Sequence, residues 1–369
     1  NTITERTMLS EIGSNFWISP NELSLQVLEI TPEKFNCKGS DYVWMSTGRG
    51  ATSFILDTIE RRNFNVSKVA LLPPFTCNTV IEPFLAKGYE VKTFHTGKDL
   101  RSKGADIVSA ARECNAGVVL FHRYFGVDSI ADIDEAVNEL RNAGIIVIED
   151  CTQCLYSTFK RANADYVVAS IRKWCGVPDG GFAVCKDGSF ENKPEKKDTE
   201  LEEAKKEASI LKYQYLFEGA GYRNVFLTKY RKAEDILDEE KLYFTISDLS
   251  AAIQSNLDIE SLKQKRRENY KIIAEGLKEV EGITVITEVL AEDEVPLYCP
   301  ILSEHRFDIQ KLLVKNAIYA PIVWLKADSC PAVDEDADYL YDHILCIPID
   351  QRYGEDDMKR VINTLIQNK

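Results

Sequence analysis

Short apolar runs alternate with amphipathic stretches along most of the chain. Tyr42-Val43-Trp44-Met45, Val69-Ala70-Leu71-Leu72, the stretch 117–122 (GVVLFH), residues 145–148 and Tyr166-Val167-Val168-Ala169 have the continuous apolar character of strands covered on both faces. Residues 89–94 alternate apolar and polar positions instead, as a strand with one open face does. Between these runs, Phe54, Ile55, Thr58 and Ile59 recur at helical spacing. Further helical patterns precede Gly88 and Cys114 and cover 130–141. Strands that alternate with helices predict an α/β fold with a mostly parallel, doubly wound sheet and right-handed connections. Ligands of such sheets bind at the C-terminal strand ends. Residues 48–50, 75–78, 122–125, 150–153 and 170–173 all fall there.

The pattern changes further on. The charged run 191–206 reads as a solvated loop leading into a helix. Residues 201–240 read as helical with an interruption at Gly219-Ala220-Gly221-Tyr222, and 246–277 as one long helix with Ser247 as its cap. The C-terminal stretch alternates strand signals (VPLYCPIL, ILCIPI) with helices (FDIQKLLVKN, EDDMKRVINTLIQ), which predicts a small α+β unit. The expected division is a large domain over 1–245, including an N-terminal segment 1–40 anchored by Phe16, Trp17 and Phe35, and a small domain over 246–369 that includes the linking helix.

Composition narrows the classes. With 369 residues, 44% of them hydrophobic, the chain has material for a large core. A net charge of −14 argues against non-specific binding to nucleic acid or to an anionic membrane. No apolar run approaches the ~20 residues of a membrane span. The first residues lack the basic-then-apolar order of a secretory signal, so a cytoplasmic enzyme is expected. The ten cysteines are scattered, mostly in apolar contexts. Cys151 and Cys154 form a CxxC, but there is no second CxxC or paired histidine nearby. The pair therefore reads as packing around Gln153, and no metal site is expected.

One stretch concentrates the chemistry. The apolar run 145–148 ends in Glu149 and Asp150, and the run 166–169 is followed by Ser170-Ile171-Arg172-Lys173 and the turn Gly176-Val177-Pro178-Asp179-Gly180-Gly181. Pyridoxal phosphate (PLP) needs such a set: an amine to hold it as a Schiff base, a carboxylate to keep its ring nitrogen protonated, a donor for its 3-oxygen, and amides and hydroxyls for its phosphate. Lys173, Asp150, Gln153 and Ser170 match these needs, with Gly48, Arg49 and Gly50 as amides at a helix start. A released Lys173 amine would also move a proton as general base, then acid. Plainer readings exist for each residue. Lys173 reads equally as an exposed lysine, Asp150 as a helix cap, Ser170 as a small strand residue, His122 as a hydrogen-bonded structural residue, and Arg49 and Arg172 as surface charges. Their joint occurrence at successive strand ends favours the chemistry.

The same residues resemble a known family, the fold-type-I PLP-dependent aminotransferases, and among them the sugar aminotransferases of the DegT/StrS kind. TGRGAT resembles the family's phosphate turn, IVIEDCTQ its IEDxAQ motif, SIRKW with the following Gly-Gly its lysine strand, SDLSAAIQSNLD its TDLQAA helix, and CIPIDQRYGEDDMKRVI its C-terminal ending. The matches run from about Ser46 to the C-terminus. The resemblance implies a seven-stranded, mostly parallel sheet in the large domain and a homodimer. It implies transfer of an amino group, from glutamate, to a nucleotide-linked keto sugar, with Asp150 on the ring nitrogen and Gln153 on the 3-oxygen. The chain departs from the pattern at three places. Cys77 stands where an aromatic usually stacks on the PLP ring, with Phe75 as the alternative. Ser170 lies three residues before the lysine instead of five. Tyr243-Phe244-Thr245 replaces the Asn-Tyr-Arg motif that reaches a neighbouring subunit's phosphate. Two alternatives stay open: other PLP chemistry on an amino acid (decarboxylation, elimination or aldol cleavage), and a PLP-binding protein without turnover.

Overall fold

The apolar runs do assemble into one sheet. The structure, a computed structural model, describes residues 10–62, 65–196, 199–239 and 243–366. Its main sheet has seven strands: β1 (Asp41–Met45), β2 (Val69–Leu72), β3 (Glu90–Thr93), β4 (Val118–His122), β5 (Ile146–Asp150), β6 (Tyr166–Ser170) and β7 (Gly181–Cys185). Their spatial order is β1-β7-β6-β5-β4-β2-β3. Only β7 runs antiparallel to its neighbours; the other pairings are parallel. The register sets His122 of β4 opposite Asp150 of β5. Two side chains that end adjacent strands are thereby delivered to the same edge.

Both faces of the sheet are covered, which is why its central strands read as unbroken apolar runs. Leu120 and Ile148 point to one face and pack with Phe54, Ile55 and Ile59 of α1 (Gly48–Arg62) and Phe84 of α2 (Asn78–Ala86). Val119, Phe121 and Val147 point to the other, against Ile107 and Ala111 of α3 (Gly104–Glu113) and Val137 and Leu140 of α4 (Ile133–Asn142). The alternation follows from the two-residue period of a strand.

Two helices, α5 (Thr199–Phe217) and α6 (Arg223–Glu239), then fold back on each other, with Phe226 and Tyr230 packed on Ala208. The long helix expected over 246–277 is two helices, α7 (Asp248–Ser255) and α8 (Ile259–Leu277). The break comes at Asn256 and Leu257, because Asp258 accepts the Ser261 N–H and caps a new helix start. Ser247 caps α7 as its sequence position suggests, accepting from the Ser250 N–H. C-terminal to these lies a three-stranded antiparallel sheet, β8 (Thr284–Val285), β9 (Cys299–Leu302) and β10 (Ile344–Ile347). It shares a core with α8, with α9 (Arg306–Lys315) and with α11 (Glu355–Ile366); α10 (Glu335–His343) precedes β10. Ile12 and Gly13 pair in parallel with Ile318 and Tyr319, so the N-terminal segment joins this C-terminal sheet layer.

The turn after Lys173 is pinned from a distance. Asp179, buried at 1% exposure, accepts from the Ser247 N–H and hydroxyl and from the Ser250 hydroxyl. This joins the loop ahead of β7 to the first turn of α7, where an acidic group also suits the helix dipole. Burial nevertheless raises the Asp179 pKa from 3.8 to about 6. The folded protein therefore holds a proton that the unfolded chain releases between pH 4 and 6, and stability falls as pH rises through that window. Asp179→Ala, which strands the two serine hydroxyls, is expected to cost about 1–3 kcal/mol in chemical denaturation. In Asp179→Asn the decline between pH 4 and 6 should be smaller than in the unsubstituted protein; an unchanged pH slope would exclude Asp179 as its source.

Candidate active site

The ends of β4, β5 and β6 and the first turn of α1 surround a cavity of about 340 Å³. Of the residues expected at the site, Gly48, Arg49, Cys77, Asp150, Gln153, Ser170 and Lys173 all line it. Gly50 does not, and the expectation for it is corrected: its N–H donates to the Thr47 hydroxyl at 2.9 Å, so its amide is already used. Arg49 contributes its backbone, because its guanidinium is turned to Glu82 at 2.7 Å, to the Leu237 carbonyl and to Asp238. The N–H groups of a first helical turn have no acceptor within their own helix, which leaves those of Gly48 and Arg49 for an anion. The turn can come this close because β7 begins with glycine. A Cβ on Gly181 would stand 2.8 Å from the Gly48 nitrogen and 2.8 Å from the Ala169 carbonyl oxygen.

Thr152 ties the two central strand ends together. Its N–H donates to Asp150 Oδ1 at 2.8 Å, its hydroxyl accepts the Ser170 N–H at 3.0 Å, and its carbonyl accepts the Trp174 indole N–H at 2.7 Å. Asp150 is 8% exposed and has no cationic partner among the described residues. Burial therefore raises its pKa, against the Thr152 hydrogen bonds that lower it. Gln153 is oriented by its neighbour: its amide oxygen accepts the Phe125 N–H at 2.8 Å, which leaves the amide NH₂ as a donor on the cavity side. Ser170 presents its hydroxyl at the cavity, with the Gly180 carbonyl at 3.4 Å. The Lys173 side chain extends into the open space of the cavity and is solvent-exposed there, while the surrounding protein and the neighbouring Arg172 guanidinium lower its pKa. Cys77 faces the same space as the N-cap residue of α2.

His122 is a wall of this cavity. Its Nε2 is 3.0 Å from the Thr76 hydroxyl, and its Nδ1 is buried without a partner among the described residues. Burial lowers its pKa to about 3, so the ring is neutral. Trp324 packs beside it, with ring centroids 5.7 Å apart. Phe75 is absent from the cavity lining: it is fully buried and packs on Tyr124, Trp324 and Tyr341. Cys151 and Cys154 are buried in the core on either side of Gln153, as expected of packing residues, with Arg161 donating to Cys154 Sγ at 3.0 Å. Burial pushes both thiols well up. Among the described residues no group of His, Cys, Asp and Glu is arranged to hold a metal ion.

Three contributors carry no mark in the sequence pattern. Trp324 lies in the irregular stretch between α9 and α10, with no periodicity to mark it. Glu234 on α6 and Lys205 on α5 join Arg172 beside Lys173. Their helices carry polar residues at many positions, so nothing set these two apart. Tyr243, Phe244 and Thr245 lie against the start of this chain's own α1: Phe244 accepts the Ser46 N–H, Thr245 bridges to Met45, and Tyr243 packs on Phe54.

A sequence model of the DegT/DnrJ/EryC1/StrS aminotransferase family matches residues 206–366. No curated protein matches the chain in sequence. Solved structures resemble it over nearly their whole length. The sugar aminotransferase CalS13 from Micromonospora echinospora superposes with a TM-score of 0.66 at 16% identity, covering 98% of this chain and 99% of that one. The PLP form of Spr1654 from Streptococcus pneumoniae gives 0.64 at 13% identity, with 97% of each chain covered. PseC from Helicobacter pylori, an aminotransferase of pseudoaminic acid biosynthesis, gives 0.64 at 13% identity, covering 97% and 98%. In fold along its whole length, and in sequence over residues 206–366, the chain is like the DegT/DnrJ/EryC1/StrS aminotransferases.

Proposed function

We propose that the chain is a PLP-dependent aminotransferase that moves an amino group from glutamate to a nucleotide-linked keto sugar and works as a homodimer. One observation carries the cofactor. A buried carboxylate without a cation, Asp150, faces the same cavity as an amine of lowered pKa, Lys173. A pyridinium N–H would supply the missing positive partner, and a carbonyl carbon would react with the amine. The other residues fit the rest of the group. The Gly48 and Arg49 amides and the Ser170 hydroxyl would take its phosphate, and the Gln153 NH₂ its ring oxygen. The family match and the sugar aminotransferases among the similar structures support a sugar acceptor.

When bound, PLP supplies an electron sink for bond breaking at the carbon that bears the amino group. Lys173 Nζ is the amine that would hold the group, and as a free amine it would take a proton from the substrate carbon as base and give it back as acid. Its lowered pKa favours the neutral amine that this needs. Asp150 would keep a ring nitrogen protonated, and Thr152 fixes that carboxylate through its N–H. Gln153 is turned to donate because Phe125 occupies its oxygen. Neutral His122, Trp324 and Leu297 give the cavity a largely uncharged wall that limits water around the reacting atoms.

Protein supplied with PLP should absorb in the visible, and borohydride should fix the cofactor to Lys173. Lys173→Ala should show neither, with transamination below detection; an unsubstituted protein that stays colourless with PLP would refute the proposal. Asp150→Asn should keep PLP and lose roughly 10²–10⁴ in the rate of amino transfer from glutamate. His122 provides a pH test. An unfolded chain takes up a proton at histidine below about pH 6.5, and folded His122 does not, so this residue withdraws stability as pH falls from 6.5 towards 3. Its ring resonances in NMR should stay at neutral-form positions between pH 5 and 8; a titration midpoint in that range would show the ring to be accessible to protons.

A further inference from the structure

A second cavity, of about 430 Å³, opens on the other side of Lys173. Arg172, Lys173, Glu234, Leu297 and Tyr298 line both spaces, so the two are neighbours across the same amine. Besides Lys173, the second cavity is lined by the cations Arg172, Lys205, Arg266 and Arg352, against only two acids, Glu234 and Asp350. That is five cations to two anions, in a chain whose net charge is −14. Two of the cations are braced by the protein itself. Arg352 is held by both oxygens of Asp350 and donates to the Ser14 and Asn15 carbonyls. Arg266 donates to Gln351 and to the Pro296 and Leu297 carbonyls.

Arg172 and Lys205 differ. They share one carboxylate: Glu234 Oε1 lies 3.7 Å from Arg172 Nη2 and accepts from Lys205 Nζ. The Arg172 guanidinium makes no hydrogen bond to any described residue, though its side chain is only 14% exposed. Lys205 is buried at 6% exposure. Burial and the nearby Arg172 lower its pKa to about 8, despite Glu234. A guanidinium and an ammonium buried beside one carboxylate lack a second anion. A guanidinium fork suits a carboxylate or phosphate in a way that a backbone carbonyl does not.

We propose that Arg172 and Lys205, positioned by Glu234, form the anion subsite of the substrate: they receive a carboxylate or phosphate group of a dianionic molecule whose reacting carbon lies at Lys173. This rests on the aminotransferase reading for the identity of Lys173 as the reactive amine. The subsite distinguishes substrates by charge at a place separate from the cofactor's phosphate, which the α1 turn and Ser170 serve. Glu234 is the positioning residue; it holds the two cations apart and together.

The test is calorimetric titration of the PLP-loaded protein, with 2-oxoglutarate in one series and uridine diphosphate in another, for the unsubstituted chain, Arg172→Gln and Lys205→Met. PLP affinity and visible absorbance are measured alongside. At least one of the two anions should bind, and each substitution should weaken it on the order of tenfold to a hundredfold with PLP affinity unchanged. Loss for 2-oxoglutarate identifies the carboxylate of the amino donor as the occupant; loss for uridine diphosphate identifies the phosphates of a nucleotide-linked substrate. The proposal is overturned if both anions bind the variants as tightly as the unsubstituted chain, or if neither binds at all. It is also overturned if the variants lose PLP while keeping anion affinity, which would place Arg172 on the cofactor. Should the unsubstituted protein take up no PLP, the aminotransferase reading fails by itself, and the same titrations on the cofactor-free chain decide the subsite.

Discussion

A carboxylate buried without a cation is the constraint around which the site is built. Asp150 ends a central strand, deep enough that its charged form is disfavoured, and its carboxylate accepts the N–H two residues on. The neighbouring Glu149 shows the contrast. It is as deeply buried but faces the other way, with Arg123 at 3.4 Å and the Ala162 N–H at 3.0 Å. One acid of the pair sits beside a buried guanidinium, and the other faces a cavity. Successive residues of a strand point to opposite faces, so a single-residue shift of β5 would exchange these roles. The parallel register with β4 and β6 fixes which is which.

Much of this was readable in the sequence because it is local. The apolar runs mark the strands, their polar ends mark the edge, and Asp150, Gln153, Ser170 and Lys173 follow those ends within a few positions. Helix breaks were harder. Asn256 and Leu257 sit within an apolar spacing that continues on both sides, and only the cap at Asp258 ends the first helix. The hardest were contacts between distant segments. Trp324 reaches the cavity from an irregular stretch some two hundred positions after His122, whose ring it flanks. Glu234 and Lys205 meet Arg172 only because α5 and α6 fold over the sheet edge. The reading of Gly50 as a phosphate amide failed for a small reason, the hydroxyl three residues before it.

Charge is distributed unevenly between surface and interior. The acidic total belongs to the outside, while the spaces around Lys173 collect guanidinium and ammonium groups. Within that interior the cations fall into two kinds. Arg266 makes four hydrogen bonds to backbone carbonyls and the Gln351 amide, Arg352 four to backbone carbonyls and Asp350, and both act as braces. Arg172 and Lys205 are under-supplied. A protein that buries positive charge in both ways separates holding its walls from receiving an anion, at some cost in stability for the second kind.

The brace at Arg352 reaches the segment that comes earliest in the described chain. Its guanidinium donates to Ser14 and Asn15 and lies over Phe16 and Trp17, while the Tyr353 hydroxyl accepts the Gly13 N–H across 340 positions of sequence. Trp17 in turn sits so close to Gly176 that a Cβ there would stand 2.2 Å from the Trp17 carbonyl oxygen. Segments some 340 positions apart in sequence thus meet to close one wall beside Lys173. At ~5–20 residues per second the early strand waits many seconds for its partners. Until they arrive, the sheet can form from neighbours in sequence, but the wall cannot. Order of assembly follows: scaffold first, closure of the wall beside Lys173 last, by the contacts of greatest sequence separation.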